Sequence, residues 1–238
     1  MSQTYTVQDA LIVVRQTIPG EISTNLSSIL CDRAVSLIWN AADWKNSLVS
    51  LPPFYLTPGI QDYTIPMAVV PLDFLGLRTG WLIDLTTSPA QYLEPPLVVK
   101  KDLTRTSVED GRPEFICFDP AIAGYRIYPR YSRGVSAADI MVELIYKKKH
   151  AKITSANIGT EFVPVDDSYF DHFCNVLTWC FSSALKHPGA GGAVTDRFGN
   201  VQYTGAFAVA MNSIEDMKQK EAGLLGDYTV APAHPLSL

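Results

Sequence analysis

Apolar residues recur at helical spacing in the first forty-odd positions, turn to alternation after Ser47, and return to helical spacing beyond Asp166. Val7, Ala10, Leu11, Val14 and Ile18 fall on one face of a first helix. Thr6-Val7-Gln8-Asp9 opens it as a capping box in which Asp replaces the preferred Glu or Gln, and Pro19-Gly20 closes it. A second helix is predicted from Ser23 or Asn25 to Asp43, with Leu26, Leu30, Ala34, Leu37, Ile38, Ala41 and Trp44 as its apolar stripe. The short connection predicts that these two helices are antiparallel neighbours.

From Ser47 the period falls to two. Phe54 and Leu56 alternate with Tyr55 and Thr57 up to Pro58-Gly59, and Ile60–Ile65 follows, a pattern that predicts a hairpin bounded by Pro52-Pro53 and Pro66. Further strands are predicted at Phe74–Leu85, Pro96–Lys101, Glu114–Phe118, Tyr125–Tyr128 and Ile140–Lys147. The last is the clearest, with Ile140, Val142, Leu144 and Tyr146 on one face.

Asp166 or Asp167 can cap a third helix that carries Tyr169, Phe170, Phe173, Cys174, Leu177, Phe181 and Leu185 and stops at His187-Pro188-Gly189. Gly189–Asn200 is expected to be a flexible loop. A fourth helix is expected over Tyr203–Leu225, with Gly226 as its C-cap. The expected fold is therefore α+β: an antiparallel helical bundle from residues 1–45 and 163–226, an inserted antiparallel β-rich domain at 46–150, and a C-terminal arm at 227–238. Tyr228, Val230, Leu236 and Leu238 are spaced along that arm as candidate contacts with a partner.

Composition narrows the function. The chain of 238 residues is 47% hydrophobic and 18% charged, against about 25% charged in typical soluble domains. Four Trp, eleven Tyr and ten Phe supply apolar area for a core or for partners. A formal net charge of −5 argues against gripping nucleic acid, which calls for a basic surface. It permits a protein that lets DNA pass. Met1–Asp9 lacks the basic start of a signal peptide, and no stretch reaches the roughly 18 apolar residues of a membrane span. A soluble protein made in a cytoplasm is expected, with Cys31, Cys117, Cys174 and Cys180 as buried free thiols.

Catalytic and metal chemistry find little support. Asp166, Asp167, Asp171 and His172 form the densest set of potential ligands, yet acidic residues at a helix start are expected from the dipole alone. The run Lys147-Lys148-Lys149-His150 reads as a solvated strand end. Gly189–Ala193 lacks the Lys-Ser/Thr of a phosphate-binding loop. No catalytic, cofactor or metal residue is assigned, and an enzyme is not expected.

The order of motifs does point somewhere. Ile38-Trp39-Asn40, Asp43-Trp44, then Thr57-Pro58-Gly59, Asp62-Tyr63-Thr64-Ile65-Pro66, Phe74-Leu75 and finally Tyr125-Arg126-Ile127-Tyr128-Pro129 resemble the head-to-tail adaptor proteins of tailed bacteriophages, the tail tubular protein A type. The resemblance covers residues 25–185 in the order of elements. Pro52-Pro53 inside the first strand and the stretch Met67–Pro71 before Phe74 depart from it.

The resemblance implies a virion protein at the head–tail junction. It would form a dodecameric ring of identical subunits between the portal protein and the tail nozzle or tube, with double-stranded DNA passing through the lumen and no membrane involved. The helices would form the ring wall, the β insert would face the tail, and the arm would reach the portal or a neighbour. The rival reading is a tail-associated host-contact or carbohydrate-binding module using Trp81, Tyr92 and Tyr131.

Overall fold

The computed structural model describes residues 3–18, 20, 22–64, 67–101, 103, 109–132 and 139–225. They divide into two compact units: residues 3–47 with 150–225, and residues 48–149. The stretch 150–162 belongs to the first unit: the Val7 and Gln8 amides donate to the carbonyls of Glu161 (2.9 Å) and Ile158 (3.1 Å).

The first unit carries four α-helices: α1 (Val7–Thr17), α2 (Thr24–Ala41), α3 (Phe170–Ala184) and α4 (Gly205–Leu225). Both arms of the Thr6–Asp9 capping box form, with the Thr6 amide 2.8 Å from Asp9 Oδ2 and the Asp9 amide 3.3 Å from Thr6 Oγ1. The shorter carboxylate thus replaces Glu without loss of either bond. Ser23 caps α2 through the Leu26 amide (3.2 Å). That helix ends at Ala41 rather than Asp43, and the buried Trp44 indole folds back to donate to the Ile38 carbonyl at 2.6 Å. One of the orphan carbonyls at the helix end is satisfied in this way.

Asp166 caps a 3₁₀ turn, Asp167–Tyr169, that leads into α3. Phe173, Cys174, Val176, Leu177, Cys180 and Phe181 are buried on that helix, spread over more than one stripe. The reason is topological: α1, α2 and α4 all pack on α3, and α1 lies chiefly against it rather than against α2. The first helix ends at Thr17 with Ile18 as its C-cap, just ahead of Pro19-Gly20 as expected; the expected C-cap at Gly226 falls outside the described residues.

The second unit contains ten strands: β1 (Leu48–Ser50), β2 (Phe54–Tyr55), β3 (Asp62–Tyr63), β4 (Phe74–Asp84), β5 (Gln91–Val99), β6 (Asp110–Gly111), β7 (Phe115–Asp119), β8 (Gly124–Tyr128), β9 (Arg130–Tyr131) and β10 (Ile140–Lys148). Eight of them form one sheet in the order β1-β10-β4-β5-β7-β8-β3, with β2 sharing β1's side of β10. In effect β1 and β2 are one edge strand broken by Pro52-Pro53. Leu51 and Leu56 keep the ladder on either side, donating to Leu144 (2.8 Å) and Ile140 (2.9 Å). A short parallel pair, β6–β9, stands apart.

The predicted hairpin around Pro58-Gly59 does not form. The turn itself is present, with the Ile60 amide on the Thr57 carbonyl at 3.1 Å and Gly59 at φ +83°. Its flanking strands, however, go to opposite edges of the sheet: β2 pairs with β10, and β3 pairs with β8. Curling of the sheet into a half-barrel brings those edges together. The rings of Phe54 and Tyr63 meet at 5.1 Å, and the Tyr63 hydroxyl accepts from the Thr57 amide at 3.1 Å.

The expected fold class is overturned. In place of an antiparallel helical bundle with an inserted antiparallel domain, the chain is mixed α/β, with four described helices and a large curled sheet of mixed direction. Parallel pairing of β5 with β7, Val98 opposite Phe115 and Val99 opposite Ile116, makes the sheet mixed. Alternation records which face of a strand is buried and carries no information on its direction.

Candidate interaction surface

The stretch expected as a flexible loop is an ordered arm. After a 3₁₀ turn at Pro188–Ala190, β11 (Ala193–Thr195) and β12 (Val201–Tyr203) pair antiparallel in the first unit. Asp196 closes the tip, its carboxylate accepting from the amides of Phe198 (2.8 Å) and Asn200 (2.9 Å) and from Asn200 Nδ2 (3.0 Å). The Asn200 side-chain bond, joined by these backbone amides, holds that carboxyl below the usual range.

The base is closed by backbone contact. Thr204 donates its amide to the Gly192 carbonyl at 3.0 Å. Gly191 sits at φ +66°, ψ −166°, a region open essentially only to glycine. A Cβ there would overlap the Thr204 carbonyl, and one on Gly205 would lie 2.6 Å from the Gly189 carbonyl. The two glycines let the ends of the arm meet.

All six ladder residues are exposed. Val194 and Val201 are each 55% accessible, Tyr203 is 50% and Phe198 at the tip is 75%. A lone two-stranded hairpin is marginal in water, and this one presents apolar side chains to solvent. At its root an aromatic ladder continues the surface: Tyr203 meets Phe207 of α4 edge-on at 5.2 Å, Phe207 meets Trp179 of α3 at 4.9 Å, and the Arg33 guanidinium of α2 lies 5.2 Å from the Trp179 ring. Leu26 and Ile29, both exposed, lead along α2 towards Arg33 at helical spacing. Chemically the whole is an apolar and aromatic face with a cationic rim. It suits a protein partner better than a small substrate.

No protein-family model and no curated protein matches the chain.

The residues singled out from the sequence fare unevenly. Tyr228, Val230, Leu236 and Leu238 lie outside the described residues. Asp166, Asp167 and His172 are spent on structure: Asp166 caps the turn before α3, Asp167 takes the Thr4 amide with both oxygens (3.1 and 3.0 Å), and His172 Nε2 pairs with Asp216 of α4 at 3.0 Å. Among the described residues no group of three His, Cys, Asp or Glu side chains could hold a metal ion.

The basic run is not a solvated strand end. Lys147 is buried within β10 and only Lys149 is exposed. In the first unit His150 bonds to Ser36 Oγ through Nε2 (3.0 Å), and its Nδ1 lies 2.9 Å from the Ala151 carbonyl. The platform for the carbohydrate reading is missing. Trp81 and Tyr131 are buried, and the half-buried Tyr92 donates its hydroxyl to Glu143 at 3.0 Å. A cleft of about 370 Å³ in the second unit is lined by Leu82, Asp84, Arg112, Tyr131 and Ile140 among others. Its Arg112 spreads over the carbonyls of Leu93, Glu94 and Pro95, which makes it a clamp on β5.

The motifs behind the family resemblance are themselves structural. Asp62 pairs with Arg126 across β3–β8 (2.7 Å), Arg126 also reaches Asp119 of β7 (2.8 Å), and Phe74 packs on Phe118, Tyr125 and Tyr146. Sequence reasoning missed the arm, although its signal was present: the alternation around Asp196-Arg197-Phe198-Gly199-Asn200 is that of a hairpin.

Proposed function

We propose that this chain is a structural subunit of the head–tail junction of a tailed bacteriophage. In this reading identical copies form a ring between the portal protein and the tail nozzle, and double-stranded DNA passes through its lumen without being held. The observation that carries the reading is the exposed apolar arm β11–β12 with the aromatic ladder at its root, a surface built for a protein neighbour. The use of the resemblance motifs is consistent with it. Trp44, Asp62, Tyr63, Phe74, Tyr125 and Arg126 are all engaged in packing and pairing, as suits a protein whose work is geometric. A net charge of −5 per copy favours a lumen that repels the DNA backbone rather than binding it.

The test uses tailless, DNA-filled heads made by the same phage. Purified chain mixed with such heads is expected to sediment with them and to lie at the single portal vertex in electron micrographs. Chain that remains in the supernatant, or that coats the heads at random, contradicts the proposal.

A further inference from the structure

Helix α3, 15 residues long and so about 22 Å at 1.5 Å per residue, separates two partly exposed aromatic patches in the first unit. The patch at its C-terminal end is the arm with its ladder: Phe198, Tyr203, Phe207 and Trp179. Its charged side chains are Arg33, Lys186 and Arg197, all exposed. Asp196, the acid among them, accepts the bonds that close the tip and keeps its charge, so three cations against one carboxylate leave this rim net positive.

The other patch lies where α3 begins. Tyr5 stacks on Phe170 with ring centroids 4.2 Å apart, beside the backbone bridge that joins Thr6 to Phe162. Tyr5 is 41% accessible. Carboxylates surround this patch: Glu161 and Asp171, together with Asp166 and Asp167, which accept from backbone amides and keep their charge; Lys152 is the single lysine of the adjoining 150–169 segment. Packed α4 adds Glu215 and Asp216, but these are matched by Lys218 (2.8 Å) and Lys220 (2.7 Å). One aromatic patch is therefore rimmed by cations and the other by anions.

We propose that a second copy of this chain covers both patches. The arm end of one copy seats Phe198 and Tyr203 on the Tyr5–Phe170 face of the next, with Arg33, Lys186 and Arg197 opposite Glu161 and Asp171. Like-sign rims prevent either patch from pairing with itself, so the contact is head-to-tail. A head-to-tail contact repeats, and it closes into a ring when the rotation between copies permits. This inference names the subunit contact of the ring proposed above and rests on that reading for closure; the contact itself stands on the two surfaces.

Two variants of the full chain test it. The first, Arg197→Glu with Phe198→Ser, spoils the arm end; the second, Asp171→Lys with Tyr5→Ser, spoils the acidic end. All four positions are exposed, and retention of the wild-type melting temperature checks the fold of each variant. Sedimentation velocity is run at about 50 mM and about 500 mM salt, where the screening length differs by a factor of about three. Wild type is expected to self-associate, more weakly at high salt. Each variant alone is expected to be monomeric, its dissociation constant raised at least about 30-fold. The two mixed are expected to give one-to-one dimers and nothing larger, because only one productive contact survives. A monomeric wild type, a variant that still self-associates, or a mixture that stays monomeric overturns the contact. Chain that binds phage heads but does not self-associate sinks the contact alone. Chain that self-associates but ignores heads sinks the adaptor reading alone.

Discussion

Replacing Gly191 by Ala perturbs the arm at the point where its two ends meet. The residue lies at φ +66°, ψ −166°, where a side chain costs about 1–3 kcal/mol of backbone strain. Its Cβ would also press on the Thr204 carbonyl and come within 2.8 Å of Gly205 Cα. Relief requires the base to part, which gives up the Thr204–Gly192 backbone bond of 3.0 Å, worth about 1 kcal/mol net. A loss near 2 kcal/mol corresponds to about a 30-fold fall in local protection. The arm has no buried ladder residue to offset it. Native-state amide hydrogen exchange is the assay: β11 and β12 amides and Thr204 are expected to exchange about 30-fold faster, while α3 amides keep their wild-type rates. Gly192→Ala is the internal control, since a Cβ there meets no atom within 4 Å. Equal protection of the arm in the two variants would refute the argument, as would a loss spread evenly into α3.

Three further predictions concern the rest of the molecule. Arg126→Met removes the buried cation that Asp62 and Asp119 share; a loss of about 3 kcal/mol is expected in urea unfolding, and a change below about 0.5 kcal/mol would show the triad to be idle. Burial pushes the Cys31 thiol up to about 12 and those of Cys174 and Cys180 to about 11, so none of the three should react with a thiol reagent at about pH 8 until the chain unfolds; rapid labelling of native protein contradicts this. The Asp167 carboxyl is held below its usual value by the Thr4 amide, and that of Asp9 by its bonds to Thr6. Their contribution is therefore present above the ordinary carboxylate range and lost as pH falls through the lower folded value. The segment Thr4–Thr6 is expected to loosen below about pH 4, seen as loss of amide protection there, and Asp167→Asn should move that transition.

The helices were legible because their signals are local. The Thr6–Asp9 box, the Ser23 cap and the stripe Val7, Ala10, Leu11, Val14, Ile18 each lie within a few turns, and each does what its chemistry predicts. Strand positions were legible for the same reason, with Ile140, Val142, Leu144 and Tyr146 all buried from β10. Pairing was not. Whether Phe54 faces Tyr63 as a hairpin neighbour or across a curled sheet depends on β8 and β10, about sixty to ninety residues later in the chain. Gly189–Ala193 illustrates the same limit at short range. Glycine density suggested looseness, whereas Gly191 and Gly205 serve a close backbone approach that only the folded arm creates. The candidate surface was hidden for a related reason: apolar side chains such as Val194, Phe198 and Val201 read alike whether they fill a core or await a partner.

The central claim, that the chain works by assembling between the portal and the tail, is tested most directly by mass in solution. Light scattering of the chain alone, and then mixed with the portal ring of the same phage, should show it moving into a portal-sized or larger complex. The added mass should equal a whole number of copies matched to the portal's symmetry. A chain that keeps its own mass and leaves the portal's unchanged contradicts the account.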